Sequence, residues 1–518
     1  MKRHIIFALL MLCGTVAMAQ SEAEVLLTSR SLPTGSARSL SLGNAMGAIG
    51  GDLTAIGINP AGIAVYRTSE FSLSSGLQIN STDASYWGQT TNDTKTNIPL
   101  NQIGFVSTFM PMRQSKGIVS SHFSFSYNRV NNFNQNVWLQ GDNVSSSMLD
   151  MWVINANGYT PEALNTPGNP NYFGANLAYG AYLIDETSAG SSQYIHAFEG
   201  YDGSGAIIWR PQNGIRQKQL IDRNGYGGEY SFAGGINIDN KLLLGASLNF
   251  QNIRAEQSSM YQERDAFGLS PAYDDDIDYF NYYETWNRYG TSINFKIGAI
   301  VKPTNNIRIG FAFHSPNYFE MREEYDSSIK AYYKDGYNES VIPEYPGEFE
   351  YKIITPMKLV GSLGFIIGER GFVSADYEYQ DYSKAKFKLS GNDWEYSDYI
   401  WSMNQNIKTV FDKTHSFRVG GEYRATDNIA LRGGYGFYGS PYKEEYLSEK
   451  MKLQTYSLGL GYRAQSFYLD LAYMLVAQNE DYYPYSWNTG DAEFDALAQP
   501  AKIESNTSNI VLTLGWKF

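Results

Sequence analysis

The last ten residues of the chain, NIVLTLGWKF, constrain the fold more than any other segment. Every second position is apolar, namely Ile510, Leu512, Leu514, Trp516 and Phe518, and the positions between them are mixed. A period of two describes a β-strand that has one complete face in apolar surroundings. A strand of a soluble β-sandwich fits the same segment, so it leaves two all-β architectures open.

The same alternation recurs along the chain, and we count about fourteen candidate strands after residue 68. The connections between them are of two kinds. Four are short and carry tight-turn residues: Asp239-Asn240, Pro303-Thr304-Asn305, Thr426-Asp427 and Arg463-Ala464-Gln465. The alternate connections are long: 130–225, 255–289, 316–347, 386–413, 438–452 and 477–505. Short turns on one side and long loops on the other are typical of an outer-membrane barrel, whereas a sandwich has no reason to sort its loops.

Because lipid offers the backbone no hydrogen-bond partner, a sheet that crosses a membrane must close on itself. We therefore predict an all-β fold, a transmembrane antiparallel β-barrel of about 14 strands over residues 68–518. The loop 130–225 is its longest extracellular connection. The aromatic C-terminal residue, Phe518, resembles the signal by which barrel-assembly machinery recognises such proteins. We expect a multi-pass monomer in the bacterial outer membrane, surrounded by its lipid and lipopolysaccharide.

Residues 1–19 have the features of a secretory signal peptide. A basic start at Lys2 and Arg3 precedes the apolar run 5–12, and Ala17-Met18-Ala19 provides a small-residue cleavage site. The only cysteine, Cys13, lies in this segment. The mature chain is therefore expected to have neither disulfides nor a thiol nucleophile.

The stretch AIGGDLTAIGINPAGIAVY, residues 48–66, fits neither a helix nor a clean strand. Its glycines disfavour a helix, and it is too apolar for an exposed loop. A barrel of about fourteen strands leaves an aqueous lumen unless something fills it. Irregular backbone is tolerated at membrane depth when the protein itself surrounds it. We therefore predict that residues 20–67 form an N-terminal hatch, or plug, inside the lumen.

The stretch GSARSLSLGNAMGAIGGDLTAIGINPAGIAVY resembles the hatch of the FadL-type outer-membrane transporters of long-chain fatty acids and other hydrophobic compounds. Asn59, Pro60 and Ala61 match the Asn-Pro-Ala motif of that family. The resemblance extends to ITPMKLVGSLGF, SADYEYQDYS and FRVGGEYRATDNIALRGGYGFYGSP and is weakest in the loops. It implies a hatch-plugged barrel of about fourteen strands, capture of substrate by apolar extracellular loops and an internal apolar site. It also implies a hatch rearrangement that opens a lateral route at a kink in the third strand.

Two segments are candidates for the roles that this resemblance implies. The third strand runs into 131–135, whose poor strand formers fit the kink and fit an ordinary strand end equally well. The long loop contains an apolar group that fits either ligand capture or self-packing: Met148, Met151, Trp152, Leu177 and Tyr179. This loop departs in length and sequence from the fatty-acid transporters, so the substrate stays open.

Charged residues fall on the lumenal face of neighbouring predicted strands, namely Asp376, Glu378, Arg418, Glu422 and Arg432. Charges of both signs inside a barrel indicate structural pairing. Holding the plug or steering the headgroup of a substrate is the alternative role for these residues.

The chain offers little for catalysis or metal binding. The histidines outside the signal peptide show neither metal-ligand spacing nor a nucleophile motif: His122, His196, His314 and His415. The acidic run 274–278 lacks the glycine and the distal glutamate of an EF-hand loop. We expect no catalytic residue, no metal and no cofactor, and we do not expect an enzyme. An outer-membrane hydrolase or a haem site would need His122 or His314 in the lumen.

These observations predict an outer-membrane protein for the passive uptake of small hydrophobic molecules, either fatty-acid-like or aromatic. The net charge of -13 argues against nucleic acid as a partner. Two alternatives remain. One is a FadL-like barrel that acts in protein secretion as a type IX shuttle, and the other is a surface-binding protein that uses the barrel as an anchor.

Overall fold

The computed structural model describes residues 23–111, 117–390, 397–444, 451, 453–485 and 492–518. The predicted signal peptide, residues 1–19, lies outside these ranges. None of the helices in the described ranges combines the length and the apolar composition needed to cross a bilayer.

Fourteen strands, five of them interrupted, form one large antiparallel sheet. They are β1 (Glu70–Tyr86), β2 (Gln89–Asn97 and Leu100–Phe109), β3 (Ile118–Asn132 and Gln135–Val144), β4 (Ile215–Ile238), β5 (Leu242–Arg264), β6 (Ile277–Val301), β7 (Ile307–His314 and Tyr318–Tyr333), β8 (Gly347–Ile354 and Lys358–Ile367), β9 (Gly371–Asp381 and Lys386–Leu389), β10 (Lys413–Arg424), β11 (Ile429–Tyr438), β12 (Leu453–Arg463), β13 (Phe467–Tyr482) and β14 (Ala501–Lys517).

The sheet closes into a barrel because its first and last strands pair. β1 and β14 run antiparallel in continuous register from Glu70 opposite Lys517 to Ser85 opposite Lys502. The predicted antiparallel barrel of fourteen strands is confirmed. Tight turns join the strands at one end, as between β4 and β5, where Asp239 and Asn240 have φ of 50° and 56°. Two consecutive positive φ values are what a type I′ hairpin turn requires, and Asp and Asn tolerate them.

Alternation along each strand separates a lipid-facing surface from a lumenal one. On β5 the side chains of Leu244, Leu248 and Phe250 are exposed, while those of Leu243 and Asn249 are buried. Opposite Leu248 lie two more exposed aromatic residues, Phe232 on β4 and Phe295 on β6. Such a band of exposed apolar side chains is the surface that a transmembrane barrel presents to acyl chains.

Several strands are much longer than a membrane crossing requires. β4, β5 and β6 contain 24, 23 and 25 residues, whereas about 9–11 residues span the hydrocarbon core. Two of the long connections are therefore shorter than the sequence predicts, because strand residues occupy parts of 130–225 and 255–289. Beyond the membrane the outer face contacts water, so these extensions lack the apolar alternation that marks the crossing itself.

A cap covers the barrel end opposite the short turns. We define it as residues 145–214, which contain α4 (Met148–Ala156), α5 (Pro161–Leu164) and α6 (Ala175–Gly180). Two small hairpins complete it, one of Ile184–Glu186 with Tyr194–His196 and one of Glu199–Tyr201 with Ile207–Trp209. Other long connections carry α7 (Ser397–Val410), α8 (Ala492–Leu497), a strand at Asn338–Val341 and a 3-10 turn at Tyr382–Lys384. Apolar cap residues and residues from the outer parts of the strands form one buried cluster.

The N-terminal segment lies inside the barrel, and we call its described part, residues 23–67, the plug. It consists of α1 (Ala23–Ser29), α2 (Ala37–Ser41), α3 (Leu53–Ile58) and a 3-10 helix at Pro60–Val65. Most of its side chains are buried, among them Leu40, Leu42 and Met46. Short helices joined by glycine turns fit here because the lumen wall surrounds them and water does not.

The barrel wall contains a seam between β2 and β3. Their inner segments, which lie toward the short turns, pair from Gln102 opposite Asn128 to Phe109 opposite Ser121. The outer segment of β2 pairs with β1, and that of β3 pairs with β4. Among the described residues no backbone ladder joins these two outer segments to each other. Side chains connect them instead: Gln140 donates to Gln89 at 2.9 Å, Gln89 donates to Asp142 at 2.5 Å, and Thr91 donates to the Trp138 carbonyl.

The lipid-facing band generates a first prediction. Replacing Leu248, which is 45% exposed, by Arg is expected to lower the free energy of unfolding by about 2–4 kcal/mol, because it places a charge in hydrocarbon. Urea unfolding in phospholipid vesicles, followed by tryptophan fluorescence, measures this loss. The matched control is Ser258→Arg, on the same face of β5 but beyond the band, where we expect a change within about 0.5 kcal/mol. Equal losses for the two variants would contradict this position of the band.

Candidate functional site

The Asn59-Pro60-Ala61 motif lies where the plug meets the barrel wall. The Asn59 side chain donates to the Gly47 carbonyl at 2.7 Å and to the Ala299 carbonyl of β6 at 3.3 Å, and it accepts from Ala61 N at 3.1 Å. It caps the 3-10 helix that Pro60 begins, a position where proline has no backbone hydrogen bond to lose. Asn59 is 1% exposed. One side chain thus joins two turns of the plug and the wall.

Glycines in the wall allow the plug to approach this closely. A Cβ atom added at Gly298 of β6 would lie 1.9 Å from Asn59 Oδ1. One added at Gly245 of β5 would lie 2.4 Å from the Pro60 carbonyl carbon. Only glycine leaves room for the plug side chain at residue 298 and for the plug backbone at residue 245. Sequence analysis did not single out these two glycines, although a glycine inside a strand is the signal that could have found them.

The predicted lumenal charges form two groups on the wall. In the first, Arg418 contacts Glu378 at 3.0 Å and lies 4.0 Å from Asp376. The Asp376 carboxylate also accepts from Gly47 N of the plug at 3.0 Å. The arrangement thus contains both ion pairs within the wall and a hydrogen bond to the plug. Whether these residues serve structure alone or also control the plug stays a prediction.

In the second group, Arg432 bridges Glu422 at 2.8 Å and Asp470 at 2.6 Å. Arg38 of the plug reaches the same Glu422 at 3.3 Å. Sequence analysis missed Arg38 and Asp470. Arg38 could have been found as the cation within the small-residue segment GSARSLSLGNAMG. Asp470 had no comparable signal, because only the register of β13 places it beside Arg432.

One further ion pair and one hydrogen bond from a charged wall residue attach the plug to the barrel, and sequence analysis identified neither. Glu24 of α1 contacts Arg288 of β6 at 2.9 Å, and Arg288 also contacts Glu323 of β7 at 2.8 Å. Lys296 contacts Glu229 at 2.6 Å and donates to the Gly57 carbonyl of the plug at 3.2 Å. Charged contacts therefore hold the plug at both of its ends as well as at its centre.

The third strand is interrupted beside the plug. It stops at Asn132 and resumes at Gln135, so the residues 131–135 do not mark an ordinary strand end. Asn131 donates to the Arg30 carbonyl of the plug at 2.8 Å and accepts from Leu32 N at 2.9 Å. The register with β4 also shifts here, between Gly227 and Gly228. The break in the wall and the N-terminal part of the plug are thus in direct contact.

A cavity of about 510 Å³ separates this part of the plug from the wall. Leu26, Leu27 and Arg30 line it on the plug side, and Phe133 and Asn134 line it at the strand break. The lining mixes apolar groups with many amide side chains from β1, β3, β5, β13 and β14. A molecule of moderate size that has both apolar and polar parts fits this lining.

Two buried donors at the cavity have no hydrogen-bond partner in the described part of the chain: Arg30 Nη2 and Trp286 Nε1. Arg30 Nη1 contacts only the sulfur of Met451, at 3.5 Å. Leaving a buried donor unpaired is unfavourable. Acceptor groups on a ligand in the cavity would satisfy donors of this kind.

The predicted capture residues lie in the cap, but mostly inside it. Met148, Trp152 and Leu177 are buried, whereas Met151 and Tyr179 are half-buried. The Trp152 ring packs against Tyr282 of β6, with ring centres 5.1 Å apart. These residues therefore form the core of the closed cap and not the exposed apolar surface expected from the sequence. A role in ligand capture stays a prediction.

Two of the predicted lumenal histidines are built into hydrogen-bond networks. His314 Nε2 lies 2.9 Å from the Ile58 carbonyl of the plug. His122 lies between Ser120, at 2.8 Å, and Thr108, at 3.2 Å. Neither belongs to a group of potential metal ligands among the described residues. His314 therefore contacts the plug, and His122 contacts neighbouring residues of the wall.

Comparison with known proteins identifies one family to which this chain is similar and several solved structures of similar fold. The sequence model of a family described as outer membrane protein transport protein (OMPP1/FadL/TodX) matches residues 230–518. A crystal structure of a Pseudomonas aeruginosa FadL homologue is 14% identical, with 95% of this chain and 100% of that chain covered and a TM-score of 0.52. The P. putida toluene transporter TodX is 11% identical, with 92% and 98% covered and a TM-score of 0.49. Comparison with curated proteins gives no match.

The contacts of Asn59 generate a second prediction. Asn59→Ala leaves the Gly47 carbonyl and Ala61 N without their partner, so we expect the free energy of local opening of the plug to fall by about 1–3 kcal/mol. Hydrogen exchange measured by mass spectrometry on peptides covering residues 44–66 reports this opening. Asn80→Ala, at a lumenal asparagine on the cavity wall, is the control that should leave these peptides unchanged. Unaltered exchange in Asn59→Ala would contradict the anchoring role.

Proposed function

The chain belongs to the outer-membrane transport protein family OMPP1/FadL/TodX, and on that premise we propose that it admits small hydrophobic molecules across the bacterial outer membrane by passive diffusion. Molecules enter through the cap, occupy the cavity beside the plug and leave sideways into the membrane. The concentration gradient supplies the free energy.

One observation supports this proposal above the others: the cavity of about 510 Å³ has the plug on one side and the break in the third strand on the other. A ligand there contacts both the element that must move and the part of the wall that must open. Displacing the plug segment 24–34 would break three hydrogen bonds of Asn131 and the ion pair between Glu24 and Arg288. It would also break the hydrogen bonds from Leu32 N and Thr34 to carbonyls of the third strand. A ligand in the cavity would have to replace these contacts.

The seam supports a lateral exit next to the break. Because side chains alone connect the outer segments of β2 and β3, they can part without breaking a backbone ladder. Exposed apolar residues such as Phe105 and Phe123 lie on the outer face of the inner segments of the same two strands, on the short-turn side of the seam. A hydrophobic molecule that leaves at the inner end of the seam would meet this apolar surface.

The cavity lining favours a fatty-acid-like ligand over a bare hydrocarbon. Leu26, Leu27 and Phe133 provide apolar contact for a chain or ring. The unpaired donors Arg30 Nη2 and Trp286 Nε1 call for an acceptor, such as a carboxylate, at the other end of the ligand. A pure aromatic hydrocarbon would leave both donors unpaired.

A reversible lock of the plug tests this function. Leu32→Cys and Asn131→Cys place thiols on two residues that are in direct contact, since Leu32 N donates to the Asn131 side chain. The mature chain has no other predicted thiol. Oxidation should abolish uptake of radiolabelled oleate and toluene by cells that lack other transporters of this family. Reduction should restore it, because the plug can then move again.

The two single-cysteine variants, treated with the same oxidant, are the controls and should keep their uptake. Mass spectrometry of the purified protein verifies the disulfide. Uptake that persists in the locked protein would overturn the plug-controlled route. Absence of uptake in both redox states, and in the wild type, would favour the alternative of a protein-binding barrel in secretion or at the surface.

A further inference from the structure

Three potential metal ligands meet in the cap, far from the cavity. Asp150 lies in the first turn of α4, His196 ends the first small hairpin and Glu199 begins the second. His196 Nε2 is 2.8 Å from Asp150 Oδ1 and 3.5 Å from Glu199 Oε2. One ligand atom from each of the three residues lies within 4.8 Å of the other two. Two parts of the cap, α4 and the junction between the two small hairpins, thus converge on one point.

The surroundings differ on the two sides of this point. The His196 side chain is 1% exposed, and each carboxylate side chain is 22% exposed. The Trp209 ring packs against the imidazole, with ring centres 6.0 Å apart. On the other side, His196 and Glu199 line a cavity of about 370 Å³ together with Tyr201, Arg210 and Tyr273. The cluster is therefore held by packing and open in one direction.

Hydrogen bonds from neighbouring groups orient both carboxylates. Ser147 N donates to Asp150 Oδ2 at 2.6 Å, which leaves Oδ1 directed at the imidazole. His196 N donates to Glu199 Oε2 at 3.2 Å. Such outer contacts fix ligand orientation in metal sites, and they are in place here without a metal.

From this convergence we propose that Asp150, His196 and Glu199 bind a divalent first-row metal ion of the Zn²⁺ type. One imidazole nitrogen and two carboxylate oxygens form a ligand set that Zn²⁺ accepts. Three protein ligands leave a fourth position, and the adjoining cavity is where water or an anionic group would occupy it. The site is separate from the cavity beside the plug, since it lies in the cap and not in the barrel lumen.

A metal ion and a proton would compete for the same atom, His196 Nε2. Without metal, Phe198 N donates to His196 Nδ1 at 3.2 Å, so Nε2 carries a proton toward Asp150. Metal binding at Nε2 would displace that proton and place the ring proton on Nδ1, which would end the bond from Phe198.

A bound metal would hold the cap together and keep it on the barrel. α4 is already attached to β5, because Met148 N donates to Glu263 at 2.7 Å and Ser147 Oγ also donates to this carboxylate. The metal would extend this attachment from α4 to both small hairpins. The cap would then resist opening as one unit.

Titration of the metal-stripped, detergent-solubilised protein with Zn²⁺ tests the proposal. Isothermal titration calorimetry should show one saturable site in the wild type and loss of that site in His196→Gln. Replacement by Co²⁺ should give the visible absorption of a tetrahedral site. His415→Gln, at an exposed histidine on the outer face of β10, is the matched control and should keep the site. Wild-type protein without saturable binding, or equal binding in His196→Gln, would overturn the proposal.

A second variant separates metal binding from folding of the cap. Glu199→Gln keeps the size of the side chain but removes a charged ligand, so Zn²⁺ affinity should fall at least tenfold. Limited proteolysis between residues 184 and 210 provides a second readout. Zn²⁺ should slow cleavage in the wild type and leave the rate unchanged in Glu199→Gln. Equal protection of both proteins by Zn²⁺ would contradict the assignment.

Discussion

Closure of the backbone hydrogen-bond network through β1 and β14 is the interaction on which the rest of this structure depends. In hydrocarbon an unpaired N–H or C=O group is too costly to maintain, so the sheet has to be a ring. A ring of fourteen strands encloses more space than its own side chains fill. The plug, its charged anchors and the cavity beside it all follow from the need to occupy that lumen.

The plug shows how irregular backbone is accommodated at membrane depth. Its turns are satisfied by side chains that reach across from the wall, as Asp376 does for Gly47 N, and by its own residues, as Asn59 does. Gly245 and Gly298 let the plug approach the wall closely, the first against plug backbone and the second against the Asn59 side chain, where larger residues would separate them. Buried apolar side chains of the plug, such as Leu40 and Ile63, pack against wall residues in addition to these polar contacts. On the function that we propose, a ligand would have to replace part of both sets of contacts to displace the plug.

The sequence predicts those parts of this protein that a local physical rule governs. Apolar residues at every second position, as in 510–518, indicate a strand with lipid on one face. The glycine-rich, apolar stretch 48–66 indicates a buried irregular element. The outer extensions of β4 to β6 lack this alternation, because water and not lipid contacts their outer face, and the sequence therefore does not predict them. Partners such as Arg38 with Glu422, or Asp150 with His196, are separated by hundreds or tens of residues. Only the closed barrel and the folded cap bring them together, so no spacing in the sequence reveals them.

The divided construction of β2 and β3 separates two mechanical tasks within one wall. The inner segments form a continuous backbone ladder from Gln102 to Phe109, which keeps the barrel closed. Above them the join is a row of side-chain contacts, worth about 0.5–1.5 kcal/mol net for each neutral pair and about 1.5–3 kcal/mol for the bond from Gln89 to the Asp142 carboxylate. On the lateral route that we propose, only the upper join would part. The paired inner segments would hold the two strands in register, so that the same side-chain contacts could form again after each passage.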